Sequence, residues 1–228
     1  RPTHPELLDW LATELIRNDW RLKPIHKLIM TSAVYMQSNE TDEPRLAADR
    51  DNTLFWHRPG RRLEAEVIRD TMLAVSDSLD ATQFGPGTLD PKHRRRSIYF
   101  FVKRSQLVPM MSLFDGPDTL QDLPCRVSTT IAPQALMLMN NAVVRERASS
   151  FARRIQPQAE GPLPVVVDRG YVIALGRKPA PDELAESVSF IEAQAASYKA
   201  EEKANAFDLA IGDFCQTLMS LNEFVYVE

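Results

Sequence analysis

Apolar residues recur along this chain with the period of an α-helix more often than with the alternation of a strand. Leu8, Leu11 and Leu15 follow Thr3-His4-Pro5-Glu6, a capping-box pattern with Thr3 as N-cap and Glu6 three residues on, and predict a helix ending near Asn18. Pro24 opens a second helix whose buried side is Ile25, Leu28, Ile29, Ala33 and Met36. The short link between them implies an antiparallel pair. Residues 37–59 are polar and lack a long periodicity, which reads as loop with one short helix, Leu54, Phe55 and Trp56 tucking back onto the core.

Residues 61–79 predict the next strong helix, with Ile68, Met72, Val75 and Leu79 in one stripe, Leu63 and Val67 beside it, and Arg62, Glu66, Arg69 and Asp70 on a polar face of alternating charge. Gly85, Pro86, Gly87 and Pro91 then break the chain. The run SIYFFV over residues 97–102 is rich in β-branched and aromatic types and predicts a strand or extended segment. Residues 131–155 predict a central helix. Its first half is apolar on nearly every side (Ile131, Ala135, Leu136, Met137, Leu138, Met139), as in a helix surrounded by protein, and its second half narrows to Val144, Ala148, Phe151 and Ile155. Thr129 or Thr130 can cap it, and Pro133 suits its first turn.

Residues 156–164 hold two prolines and a glycine and mark an internal boundary. Beyond them a helix over 165–175 stops at Gly176, and Pro179 and Pro181 open another with Leu184, Val188, Ile191, Ala195 and Tyr198 on one stripe. Phe207, Ile211, Phe214, Leu218 and Leu221 have the cleanest period of all. The predicted class is mainly α, an irregular multi-helix body with one minor extended or β element and a C-terminal helical bundle. The body spans residues 1–156 and the bundle 165–228, packed on it as one unit.

A chain of 228 residues can enclose a core without metal or disulfide. Its net charge of −4 removes any overall electrostatic case for nucleic acid or an anionic membrane. No apolar run approaches the roughly 18 residues of a membrane span, and the first residues carry no signal-peptide pattern. Cys125 and Cys215 stand far apart without metal or haem spacing, so they are one disulfide or two buried thiols. His4, His26, His57 and His93 show no metal-ligand spacing, and no cofactor is implied. Asp49 and Asp51 fail as a calcium loop, because Leu54 and Gly60 occupy the positions that require Gly and Glu. Lys92, Arg94, Arg95 and Arg96 before Tyr99, Phe100 and Phe101 lack the glycines of an RNA-recognition strand and read as a basic loop entering a core element.

No nucleophile elbow, phosphate loop or dinucleotide fingerprint occurs. One polar cluster remains at the entrance of the central helix: Asp115, Asp118, Arg126, Thr129, Thr130, Gln134 and Asn140. It can be read as a binding site for a sugar or a carboxylated ligand. The structural reading, favoured here, has Arg126 paired to an Asp and the threonines capping the helix. A hydrolase would use Asp115 and Asp118 as its acid and base. Arg61, Arg62, Glu64, Glu66, Arg69 and Asp70 are either a solvated face or, preferred here, an interface of ion pairs.

Six ordered phrases carry a family resemblance: HPELLDWLA (4–12), LIMTSAVY (28–35), RRLEAEVIRD (61–70), TTIAPQALMLMNN (129–141), ALGRKPAPDEL (174–184) and LNEFVYV (221–227). The chain resembles the planctomycete-type PSD-one domain, domain of unknown function fifteen fifty-three, over essentially its whole length. That resemblance implies a module of a longer exported protein of the cell envelope, periplasmic or extracytoplasmic, following another uncharacterised domain and often a cytochrome-c-like module. It carries no activity with it. The expected role is therefore an interaction or binding module, its partner the upstream module and its possible further ligand a carbohydrate, with polysaccharide handling as the implied setting. The alternatives are a glycan-directed hydrolase and an accessory domain of a cytochrome-like redox protein.

Overall fold

The computed structural model describes residues 2–103, 105–117, 126–156 and 162–227. The chain separates into two compact units, Arg1–Arg61 and Arg62–Val227.

In the first unit α1 (Pro5–Arg17) and α2 (Leu22–Met30) pack as a pair across a tight link at Asp19 and Trp20, both at positive φ, and α3 (Glu43–Ala48) follows. The capping box at Thr3 does not form. His4 is the N-cap, but its side chain hydrogen-bonds to the Thr3 hydroxyl and caps no helix N–H, and Pro5, with no N–H to satisfy and φ preset, takes the first helical position. Asp49 ties the following loop together: its carboxylate accepts the N–H groups of Thr53 (2.9 Å) and Leu54 (2.8 Å), while its carbonyl accepts Trp56 Nε1 (2.9 Å). The Leu54 N–H above all holds this carboxyl below its usual range. No described residue of the unit is buried, against the sequence expectation for Ile25, Leu28, Ile29, Ala33 and Met36. A helix pair with short loops has too little chain to enclose its own apolar stripes.

The second unit opens with the minor β element, β1 (Arg61–Arg62) beside β2 (Tyr226–Val227), and Leu63 donates its N–H to Val225 O at 2.7 Å. In α4 (Ala65–Val75) the stripe Ile68, Met72 and Val75 is buried as its period predicts, but so is Arg69. Arg154 closes the helix by donating to the carbonyls of Ala74 and Val75, both at 2.8 Å. The predicted strand over 97–102 is instead a 3-10 turn, Ser97–Tyr99, followed by an extended stretch bridged to Thr88. Asp70 explains the change: its Oδ1 accepts both the N–H and the hydroxyl of Ser97 at 2.7 Å, pulling the chain into a turn.

After α5 (Pro109–Leu113), the expected continuous central helix is two helices, α6 (Ala132–Asn140) and α7 (Ala142–Ile155). Asn141 is extended and caps α7, its Oδ1 accepting the Val143 N–H at 2.8 Å. Only Gln134 and Leu138 of α6 are buried, whereas Ile131, Leu136 and Met139 reach solvent, so its all-round apolar surface is not enclosed. The Val144, Ala148, Phe151 and Ile155 stripe of α7 is fully buried, as predicted.

The remaining helices are α8 (Leu163–Leu175), stopped by Gly176 at φ +75, α9 (Pro181–Ala200), α10 (Ala206–Ser220) and the single turn α11 (Asn222–Val225). The centre of this unit is α10: Ala210, Ile211, Cys215 and Met219 have no exposed surface, and the helix packs on α6, α7, α8 and α9. Each such large side chain contributes about 1.5–3 kcal/mol through burial. The chain is thus mainly α with one minor β element, and α6 through α10 lie in the second unit. No helix among the described residues is long and apolar enough to cross a membrane.

Candidate functional site

Of the polar residues expected at the α6 entrance, Asp115, Thr129 and Gln134 come together, and the cation among them is Arg62. Asp115, at φ +58 just past α5, receives Arg62 Nη2 at 2.6 Å, and Thr129 supplies its N–H (2.7 Å) and its hydroxyl (2.9 Å) to the same carboxylate. The Arg62 side chain is 4% exposed and also donates to the carbonyls of Thr129, Phe114 and Leu63. Gln134 completes the knot, donating to Leu113 O at 2.9 Å and Thr129 O at 3.2 Å while its Oε1 accepts the Ile131 N–H that begins α6. Arg62, assigned to a polar helix face by its sequence spacing, lies just before the helix and turns inward. The knot welds β1, the end of α5 and the start of α6, and both Asp115 carboxylate oxygens accept hydrogen bonds within it.

The other predicted members go elsewhere. Arg126 does not pair with Asp115: it grips Glu66 through two hydrogen bonds of 2.8 and 2.9 Å and Glu64 at 3.2 Å. Burial works against the Glu66 carboxylate, but the Arg126 hydrogen bonds and charge outweigh it and lower its pKa. The hydrogen bond to Glu66 above all raises that of Arg126. Thr130 meets the Tyr226 hydroxyl at 3.0 Å rather than capping a helix, and Asn140 donates to Leu136 O within α6. Asp118 and Cys125 lie outside the described residues; Cys215 is a buried free thiol whose pKa burial pushes well up. Of the charged face expected over 61–70, Arg61 is exposed, Glu66 and Asp70 are half-buried, and Arg62 and Arg69 are interior. Among the described residues no group of three or more His, Cys, Asp or Glu side chains gathers as a metal site.

A second polar feature escaped the sequence reading. Arg69 of α4 donates to Arg95 O (3.1 Å), Ser97 Oγ (3.2 Å) and His93, and lies 4.6 Å from the Phe100 ring centre. Because His93 Nδ1 accepts from Arg69, its proton sits on Nε2, a buried atom with no partner. Desolvation, followed by the Arg69 and Arg95 charges, lowers the His93 pKa and keeps the ring neutral. Arg147 of α7 is 3% exposed and donates Nη2 to Lys92 O at 3.2 Å, but its buried Nη1 makes no hydrogen bond. Arg69 and Arg147 both line a cavity of about 130 Å³ whose walls are Met72, Val108, Met110 and Met137 among others. Desolvation, with the repulsion of Arg147, brings the Arg69 pKa down to about 10. A helical arginine reads as surface in a one-dimensional pattern, although Arg147 adjoins Ala148 of the apolar stripe.

No curated protein and no solved structure matches this chain. A family model described as protein of unknown function (DUF1553) matches residues 1–191, well over half of the length, and its span takes in the first unit, the Asp115 knot and both buried arginines. The chain therefore belongs to the PSD1 family of proteins of unknown function.

Proposed function

We propose that this chain is a non-catalytic interaction module of a larger cell-envelope protein, and that its first unit docks on the module preceding it. One observation carries this reading: no described residue of the first unit is buried, yet it exposes Leu7, Leu8, Trp10, Ile16 and Trp20 around α1 and Leu28, Ile29 and Met30 on α2. Apolar surface of this density on a soluble domain marks an association face. Trp20, at 71% exposure, is an aromatic of the kind that anchors protein interfaces, and Leu8 adds apolar area at 56% exposure. The extracytoplasmic setting and the preceding module come from the family resemblance and are part of the proposal.

The hydrolase reading has less behind it. Asp115 spends its carboxylate on Arg62 and Thr129, and a general acid needs a protonated, substrate-facing carboxyl. Polysaccharide enters this reading only as a further ligand, for which exposed Trp10 and Trp20 offer stacking faces.

The test combines the chain with its separately produced preceding module and follows amide hydrogen exchange and calorimetric binding. Protection of α1 and α2 amides is expected, and Leu8→Asp should weaken binding at least about tenfold while leaving the melting temperature of the free chain unchanged, since Leu8 is exposed. Absence of protection, or equal binding by Leu8→Asp, would reject this docking face. Turnover of a polysaccharide by the chain alone, lost in Asp115→Asn without loss of stability, would restore the hydrolase.

A further inference from the structure

The cavity beside α4 and the α6–α7 junction combines two buried guanidiniums with apolar walls, and among the described residues no carboxylate lines it. Folded proteins seldom leave a buried N–H without an acceptor, because its hydration is lost with nothing in exchange. Arg147 Nη1 is such a group. The carboxylate next to it, Glu146 Oε1, stands 3.7 Å away, too far for a hydrogen bond, on a side chain 47% exposed. Asn141, also in the lining, uses Oδ1 to cap α7, which leaves its amide Nδ2 as a second donor. The cavity thus offers positive charge and one or two donors at one side and methionine and valine carbon over the rest.

The geometry points to this cavity as the binding site of a small organic anion with an apolar body, a monocarboxylate of about six to nine non-hydrogen atoms. Size follows from the volume: an apolar protein cavity of about 150 Å³ holds benzene, close to the 130 Å³ found here. Charge follows from Arg147, whose Nη1 lacks an acceptor and for which a carboxylate is the complementary partner, whereas Arg69 already has Asp70 Oδ1 at 3.6 Å. Sulfate and phosphate fit poorly, since their remaining oxygens would face the side chains of Met72, Val108, Met110 and Met137 without donors.

Methionine-methyl NMR tests this on the whole chain, with sodium benzoate as probe and benzamide, of equal shape but no charge, as its comparison. Met72, Met110 and Met137 line the cavity, whereas Met30 and Met36 belong to the first unit. Benzoate at about millimolar concentration should shift the three cavity methyls saturably and leave the other two in place. Benzamide should bind at least about tenfold more weakly, as should benzoate to Arg147→Met. Cavity methyls unmoved by benzoate, equal binding of benzamide, or sulfate shifting the same methyls as strongly would overturn the proposal, and so would unchanged benzoate binding by Arg147→Met. If that variant does not fold, the benzoate and benzamide titrations of the unaltered chain decide the question.

Discussion

Arg177 and Glu223, 46 residues apart in sequence, are joined by two parallel hydrogen bonds of 2.7 Å, from Nε to Oε1 and from Nη2 to Oε2. The same guanidinium holds Glu183 at 2.6 and 2.8 Å, and Glu183 in turn accepts the Ala180 N–H at 2.7 Å where α9 begins. One cation therefore pins α11 to the α8–α9 corner. The phrases ALGRKPAPDEL and LNEFVYV are two sides of this clamp.

Arg177→Ala should lower stability at neutral pH by about 1–2 kcal/mol, a figure kept small because the partners are partly solvated. The clamp also sets a pH dependence. Hydrogen bonds from Arg177, then from the Ala180 N–H, lower the Glu183 pKa from 4.5 to about 2, so its contribution is complete above pH 4.5 and is lost as pH falls toward 2. Urea unfolding at pH 7 and pH 3 should show a smaller acid-side loss in Arg177→Ala than in the unaltered chain. Equal losses would remove the clamp from the acid response.

Asp115→Asn should cost about 2–4 kcal/mol, because it leaves the Arg62 charge, 4% exposed, facing only carbonyls and an amide. A double variant with Arg62→Met should lose less than the sum of the two single changes, since the uncompensated charge is then gone. Additive losses in denaturant midpoints would mean the two groups act independently.

Gly170 permits the close approach of α8 to α10. A methyl in its place would lie 2.9 Å from Phe214 Cε1 and 3.1 Å from Leu218 Cδ1, both on side chains buried in the core. Replacing a helical glycine by alanine ordinarily gains up to about 1 kcal/mol, but overpacking here costs about 1–3 kcal/mol. Gly170→Ala should therefore lower the melting temperature. A rise would show that Phe214 can yield.

Phe214 itself is 3% exposed, with its ring centre 6.4 Å from that of Tyr171. Phe214→Ala should cost about 3–5 kcal/mol, and Phe214→Leu, which retains most of the volume, less than about 1.5 kcal/mol. Denaturant midpoints that do not separate the two variants would mean the site is filled by repacking.

The helices of the second half were legible in the sequence because their determinants are local. Gly176 at φ +75 ends α8, Pro181 starts α9, and Ile211, Phe214 and Leu218 of α10 share one core with Ile191 of α9, with Phe207, Leu184 and Val188 packed against it. The period of a helix and the chemistry of its ends reside within a few residues of chain, so a one-dimensional pattern contains them. The break at Asn141 was not legible, since part of its support comes from α10: Gln216 Nε2 captures the Leu138 and Met139 carbonyls at 3.0 and 2.7 Å from 78 and 77 residues away. Nor was the partner of Asp115, because Arg126 is nearer in sequence but Arg62 lies beside it in the fold. The inward positions of Arg69 and Arg147, and the cavity they share, likewise come from packing. A side chain's hydrogen-bond partners and its access to water are properties of every element around it, and those neighbours are chosen only when the apolar faces of distant helices meet.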